Sequence, residues 1–418
     1  MVEWLSFALV GLVALAIGAR LGSVRELRTV RHVILAGVGL RIIGVFARYA
    51  MIFDLYGGSS DAISYFQAGR DIADHLHVLD FSFLGSGQPG EHEWGTQAMR
   101  YASGFIIAIV GPSMRGAFLA FSVAAFAGVI CVILAFARAN TSAPLKRCAL
   151  LLCCWPTLWF WPSSIGKEAV LLLAVGLITL GYVGRRERIR WVPLLAGLAL
   201  ALAIRPHLAG VLAISISGAE WFSRAWSARR LSQSVLATAV TVGLLVTALN
   251  FLGLSGAGLG ALRNFVRDTA ERTDQGGSAF VRAASPVVAI PMAFVNTLVR
   301  PLPFEAHNPM AFMASLEMMG FWALVIRSRR RFRCALRLWR TNRLLRFATL
   351  FALLYVLMIG VTFQNLGIIA RQRALVMPAL LLLLATTPSD PVPHRRAAPV
   401  RRAWPRRTPR PFAEPVRP

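Results

Sequence analysis

Seven of the chain's 19 carboxylates lie between Asp54 and Glu93, a stretch holding one arginine, Arg70, and no lysine. The rest of the chain is strongly basic, with 45 Lys and Arg and a formal net charge of +26. A carboxylate held at a membrane surface can accept the proton of an attacking hydroxyl, which is general-base chemistry. Asp61 is the first choice for that role and Asp54 the second. Asp61 precedes a helix expected over Ala62 to His75, and Asp61, Tyr65 and Gly69, four residues apart, share one face of it. The run Ser59-Ser60-Asp61 is also a helix N-cap, where Asp accepts orphan backbone N–H groups. Base and cap both remain open at this position. Asp71 and Asp74 fit solvated helix positions.

The planar guanidinium fork of arginine matches the geometry of an oxyanion. Arg371 and Arg373 stand just before the last apolar run. In a helix they point about 200° apart, so one of them reaches a given anion, and two converge only from a turn; the other use of arginine here is interfacial snorkelling. Arg205-Pro206-His207 falls where proline breaks a helix. Arg300 is flanked by prolines, with Glu305 and His307 close behind. Lys167 is a ligand candidate, whereas Glu168 beside it suits the positive end of a helix dipole and reads as a helix-start stabiliser. The charges from Arg263 to Asp274 fit a salt-bridged loop. Gly256-Ala-Gly258-Leu-Gly260 has neither a preceding strand nor a following Lys-Ser/Thr, so it carries no nucleotide-binding weight.

These residues need elements to position them, and composition says which. The 418 residues are 56% hydrophobic with mean hydropathy +0.59, and repeated apolar runs are long enough to cross about 30 Å of hydrocarbon. They lack strand alternation, so the expected class is all-α: a polytopic transmembrane helical bundle. The arginines cluster in short segments between apolar runs, a topology signal that excludes nucleic acid as the reason for the charge. Placing those segments inside gives about 11 spans, near 4–19, 33–53, 116–137, 148–162, 168–183, 191–204, 208–222, 234–252, 311–326, 347–363 and 374–387.

The first run has no basic segment before it and is expected to be retained rather than cleaved. Val287 to Val299, short and interrupted by Pro291, is expected to be re-entrant or interfacial, and Tyr101 to Val110 to lie at the membrane surface. The expected organisation is a membrane domain over 1–387, with outer loops at 54–100 and 253–310, and a disordered Arg/Pro-rich cytoplasmic tail over 388–418. The five cysteines have neither disulfide-framework nor metal-site spacing. Arg41 and Arg48, seven apart inside the second run, are expected to pair within the bundle, with Glu317 or with backbone.

On this topology Asp54, Asp61, Lys167, Glu168, Arg205, His207, Arg300, Glu305, His307, Arg371 and Arg373 all fall on the outer side. There the chain resembles a known group. Asp61-Ala-Ile-Ser-Tyr65-Phe-Gln-Ala68 in an outer loop after an early span is similar to the first outer loop of GT-C superfamily glycosyltransferases. Tyr101 to Gly111-Pro-Ser113, running into an apolar span, resembles that superfamily too, as does Pro156-Thr-Leu-Trp-Phe-Trp-Pro162-Ser-Ser-Ile-Gly-Lys167-Glu168. The likeness covers roughly the first half of the chain.

The resemblance implies a polyprenyl-phosphate-linked sugar as donor, bound at the outer face of a bacterial-type cytoplasmic membrane, and an acidic residue of the first outer loop as base. Carried over, the base is Asp61, or else Asp54. Arg371 or Arg373, with Arg205 or Arg300, would hold the donor phosphate; Tyr65, Lys167, His207, Glu305 and His307 would line the substrate site. The acceptor is a glycan, lipid or protein. No cofactor is required, although the acidic loop could take a divalent cation. Two other readings stay in play: an O-antigen-polymerase-like enzyme relying chiefly on outer arginines, and a flippase or transporter for lipid-linked glycans.

Overall fold

The structure, a computed structural model, describes residues 2–84, 94–139, 144–184, 188–223, 228–251 and 286–386, with a few positions between 260 and 271. These are helical throughout, and no strand occurs among them. The expected outer loop at 253–310 is therefore described only from 286 onward, apart from those few positions, and the tail at 388–418 lies outside the described residues.

The chain opens with α1 (Val2–Gly22) and α2 (Arg31–Ala50), antiparallel neighbours that both pack on α5 (Met114–Arg138). Exposed Leu5, Leu9 and Leu12 give α1 an outward apolar surface, which suits lipid. α2 continues into a π turn at Met51–Leu55; such single-turn widenings are frequent at functional sites. Next come α3 (Asp61–His77) and α4 (Trp94–Val110), packed on each other. Gly69 and Gly104 lie at their contact, Gly69 against Ser103 and Gly104 against Ile72.

The segment expected to span at 148–162 is instead two short helices, α6 (Leu145–Cys154) and α7 (Pro156–Phe160). Pro156 lacks the N–H needed to continue the first helix and starts the second. α8 (Lys167–Val183) is the central element: it is buried along nearly its whole length and packs on α5 and on α9 (Trp191–Ile204). It crosses α5 at two glycines: a Cβ on Gly176 would stand 2.1 Å from the Gly128 carbonyl oxygen, so the close crossing requires them. Small residues that admit backbone contact are how helices associate in lipid, where apolar burial supplies little drive.

Pro206 begins α10 (Pro206–Trp221) directly after α9, with Arg205 between them in extended conformation. α11 (Ala228–Phe251) packs on α10. α12 (Pro286–Leu298), where a re-entrant or interfacial segment was expected, is a 13-residue helix with Pro291 inside it, packed on α15 (Arg343–Thr362). Before α15 come α13 (Pro309–Arg327) and the basic α14 (Arg329–Leu338). The chain's last described helices, α16 (Leu366–Gln372) and α17 (Met377–Ala385), form a pair bent by 56° around a 3-10 turn at Arg373–Leu375.

Among the described residues, five helices are long and apolar enough to cross a membrane, and six if the bent pair is one span. They correspond to the expected runs 4–19, 33–53, 116–137, 311–326, 347–363 and 374–387. The other expected runs fall on shorter helices, or on α11, whose apolar part covers Leu231–Thr247.

Candidate functional site

The candidate site grows from the N-terminal turn of α8. Gly166, in extended conformation, lets the chain enter the helix at Lys167, and Glu168 follows in the first turn, 2% exposed. A carboxylate is favoured there by the helix dipole, but burial of the charge demands partners. Two arginines supply them: Arg371 Nη2 lies 2.8 Å from Glu168 Oε2 and Arg205 Nη2 lies 3.1 Å from Oε1. Arg205 also donates to the Gln372 side-chain oxygen, which accepts a second hydrogen bond, at 3.1 Å, from the Tyr355 hydroxyl. Adjacent residues of α16 thus hold both arms of the cluster.

Asp61 closes the other side. Its carboxylate is 66% exposed and lies 3.6 Å from Arg371 Nη1. The capping role open at this position belongs to its neighbour: the Ser60 hydroxyl accepts from the Ala62 N–H at 3.3 Å. Ser60 as the cap leaves the Asp61 carboxylate for Arg371. Tyr65, one turn on, is buried and hydrogen-bonds Thr96; burial pushes its phenol up, and the Asp61 carboxylate adds to the rise. Thr96 also accepts from Lys167 Nζ at 3.2 Å, joining α3, α4 and the start of α8.

Asp61 and Arg371 line a cavity of about 420 Å³, together with Arg48, Trp161, Glu305 and Asn365. That volume lies in the range of small-molecule sites, about 300–1,000 Å³. Arg48, 5% exposed, donates to the Ser164 hydroxyl at 3.0 and 3.2 Å and stacks over Phe160 and Trp161. Its position depends on Gly44, where a Cβ would meet the Trp159 carbonyl oxygen and Ser163 Oγ at 2.6 Å.

The remaining sequence candidates divide. Arg300 is bound to Glu305 at 2.8 Å, and the Leu302 N–H donates to the same carboxylate. Burial raises the Glu305 carboxyl, but these donors outweigh it and hold it below the ordinary carboxylate range. Arg373, in the 3-10 turn after α16, is 1% exposed, lies outside the cavity lining and donates to the Arg300 carbonyl at 2.7 Å. His207 lies near Arg205 and Lys167, outside the cavity lining. His307 and Asp54 are exposed and also outside the lining.

The expected pairing of Arg41 with backbone holds, and the expected partnership of either arginine with Glu317 is corrected. Glu317 accepts from the Thr157 N–H at 3.0 Å and from its hydroxyl, not from Arg41 or Arg48. Arg41 donates to the Leu158 carbonyl and lies over the Phe126 ring. The kink at Pro156 frees the Thr157 N–H, and Glu317 satisfies it. Ahead of α12, Arg267 pairs with Asp268 and Glu271 in exposed positions.

Sequence reasoning passed over Ser164, Gln372 and Tyr355, took Arg48 for a structural arginine and took Glu168 for a helix-start stabiliser. An available signal was Glu168 itself, an acid at the head of an otherwise apolar helix. Among the described residues no three His, Cys, Asp or Glu side chains gather as a metal site; positions 85–93 of the acidic loop lie outside them. Set against family models, curated proteins and solved structures, the chain matches none.

Proposed function

We propose that the chain is an integral membrane glycosyltransferase of GT-C-like architecture that moves a sugar from a polyprenyl-phosphate donor to an acceptor hydroxyl. The observation that carries this reading is the arrangement in the 420 Å³ cavity: an exposed carboxylate, Asp61, faces a guanidinium, Arg371, that the buried Glu168 holds in place. A general base needs access to its substrate, and Asp61 has it. Stabilisation of a leaving group needs a preorganised cation, and Arg371 is one.

In this mechanism the acceptor hydroxyl loses its proton to Asp61 as its oxygen attacks the anomeric carbon. The carbon–oxygen bond to phosphate breaks on the opposite face, which inverts the anomeric centre. The electron pair leaves with the phosphate, whose growing charge Arg371 offsets. Orientation follows the distribution of arginine: the Arg-rich turns around Arg147 and Arg327 to Arg346 belong to the cytoplasmic side, which puts the cavity at the outer face of the cell membrane.

A second reading is favoured by one specific feature, the convergence of Arg371 and Arg205 on Glu168 with Arg48 close by. A polymerase joining lipid-linked glycans through arginines would use that convergence and survive the loss of Asp61. The deciding experiment uses purified full-length protein in lipid with radiolabelled polyprenyl-phosphate sugars. Transfer that disappears in a folded Asp61→Asn variant supports the glycosyltransferase; transfer that persists supports the polymerase. Donor left intact while a fluorescent lipid-linked glycan crosses the bilayer would sink both and point to transport.

A further inference from the structure

The cations around the cavity differ in how their charge is met. Arg371 has Glu168 and Asp61, Arg205 has Glu168, and Arg300 has Glu305. Arg48 has the Ser164 hydroxyl and, at 3.3 Å, the Met51 sulfur, both neutral. Among the described residues no carboxylate lies within ion-pair distance of it, although it is 5% exposed and lines the cavity. A buried guanidinium without a counter-charge is costly; Arg41 and Arg373 meet backbone carbonyls away from the cavity, whereas Arg48 lines it, where an anion can reach it.

Of the arginines that line the cavity among the described residues, Arg371 lies within ion-pair distance of two carboxylates, and the one with none is Arg48. Its plane is fixed by Phe160 and Trp161, whose ring centroids lie 5.5 and 5.1 Å from its central carbon. Stacking of this kind removes side-chain freedom before a ligand arrives, which preorganises the fork for an oxyanion.

We propose that Arg48 is the principal ligand of the donor phosphate, that of a lipid-linked phosphodiester. This rests on the glycosyltransferase reading for the sugar, but the anion site stands on its own geometry. Arg48 touches the substrate phosphate, whereas Arg205 acts through Glu168 and Gln372 to position Arg371.

The test measures binding to full-length protein in phosphatidylcholine nanodiscs. The probes are the methyl ester of farnesyl phosphate (a phosphodiester with one negative charge), farnesyl diphosphate and inorganic phosphate. Wild type is expected to prefer the diester. Arg48→Met should weaken the diester about ten- to a hundredfold, the loss of a charge-assisted hydrogen-bond donor, and Arg48→Lys should fall between. Asp61→Asn removes one negative charge from the cavity, so it should tighten binding, and Arg48→Met in the same background should still lower it.

Unchanged diester affinity in Arg48→Met or Arg48→Lys protein that melts like wild type overturns the proposal. A wild-type preference for the diphosphate overturns the phosphodiester assignment. Inorganic phosphate binding as tightly as the diester reassigns the site to free phosphate and overturns the lipid assignment. If no donor sugar is ever transferred but Arg48-dependent diester binding persists, the transferase reading fails and this site stands.

Discussion

Glu168 and Glu220 occupy opposite ends of the same bundle and look alike in local chemistry. Each is a glutamate almost wholly buried, and each is held by arginine: Glu168 by Arg371 and Arg205, Glu220 by Arg343 at 2.9 Å, with a hydrogen bond from the Tyr182 hydroxyl at 2.6 Å. The same three helices connect them. α8 carries Glu168 at its start and Tyr182 at its end, some 14 residues or about 21 Å apart; α10 runs from the Arg205 end to Glu220; α15 runs back from Arg343 to Tyr355.

The two ends differ in what closes them. At Glu220 the Arg343 guanidinium lies over the Tyr182 ring, Phe347 packs beside that ring, and Arg346 donates to the Ala219 carbonyl. Every strong donor there is turned inward onto protein. At Glu168 the arginine continues past the buried acid to an exposed one, Asp61, on the wall of a cavity. The lesson is that a buried Arg–Glu pair is not by itself a site; the exposed second carboxylate and Arg48 distinguish the end that borders a cavity from the end closed onto protein.

The largest effect that can break this comparison is removal of each acid. Glu168→Gln and Glu220→Gln should each lower stability by about 3–5 kcal/mol, the cost of leaving a buried cation without its counter-charge, read as a drop in the unfolding midpoint of detergent-solubilised protein. Under milder conditions, where both variants remain folded, Glu168→Gln should lose sugar transfer and Glu220→Gln should keep it. Equal loss of transfer in folded Glu220→Gln protein would erase the distinction drawn here.

A smaller effect sharpens it. Lysine is a point charge and cannot bridge Asp61 and Glu168 as Arg371 does. Arg371→Lys should slow transfer about a hundredfold, the scale of losing one preorganised donor to a developing oxyanion. Arg343→Lys, measured in the same assay, should leave transfer near wild type and cost about 1–3 kcal/mol of stability, because it abandons a donor to Glu220 and the stacking on Tyr182.

The parts of this site legible in the sequence were those with local signatures. Asp61 was visible because an acid opening a helix in an acidic loop is unusual in a basic chain; the separate settings of Arg371 and Arg373 were not, because the helix ends between them. The partnership of Glu168 with Arg371 and Arg205 was not legible, since it joins residues 37 and 203 positions apart and depends on where Pro206 turns α10 and where α16 ends. Arg48 looked like a structural arginine because a span shows its own periodicity but not the absence of an acid on the helix facing it. The all-helical class followed from the apolar runs. The break at Trp155 could have been foreseen, because Pro156 cannot donate the hydrogen bond that a continuous span over 148–162 requires.

The smallest effect separates the rim of the cavity from both buried clusters. The Glu305 carboxyl is held below the ordinary range by Arg300 and the Leu302 N–H, and its side chain is 22% exposed. A depressed folded value means that the folded state binds its proton less readily than the unfolded chain does. The contribution is therefore complete above the unfolded glutamate range, near about 4.3, and is lost as pH falls through the lower, folded value. A partly exposed pair of this kind contributes about 0–1 kcal/mol. Wild-type unfolding midpoints should drop more steeply than those of Glu305→Gln as pH is lowered below about 4.3, while the two should run parallel from pH 6 to 8. A divergence that opened near neutral pH would place the sensitive group elsewhere, and the Arg300–Glu305 turn would then be a passive rim of the cavity.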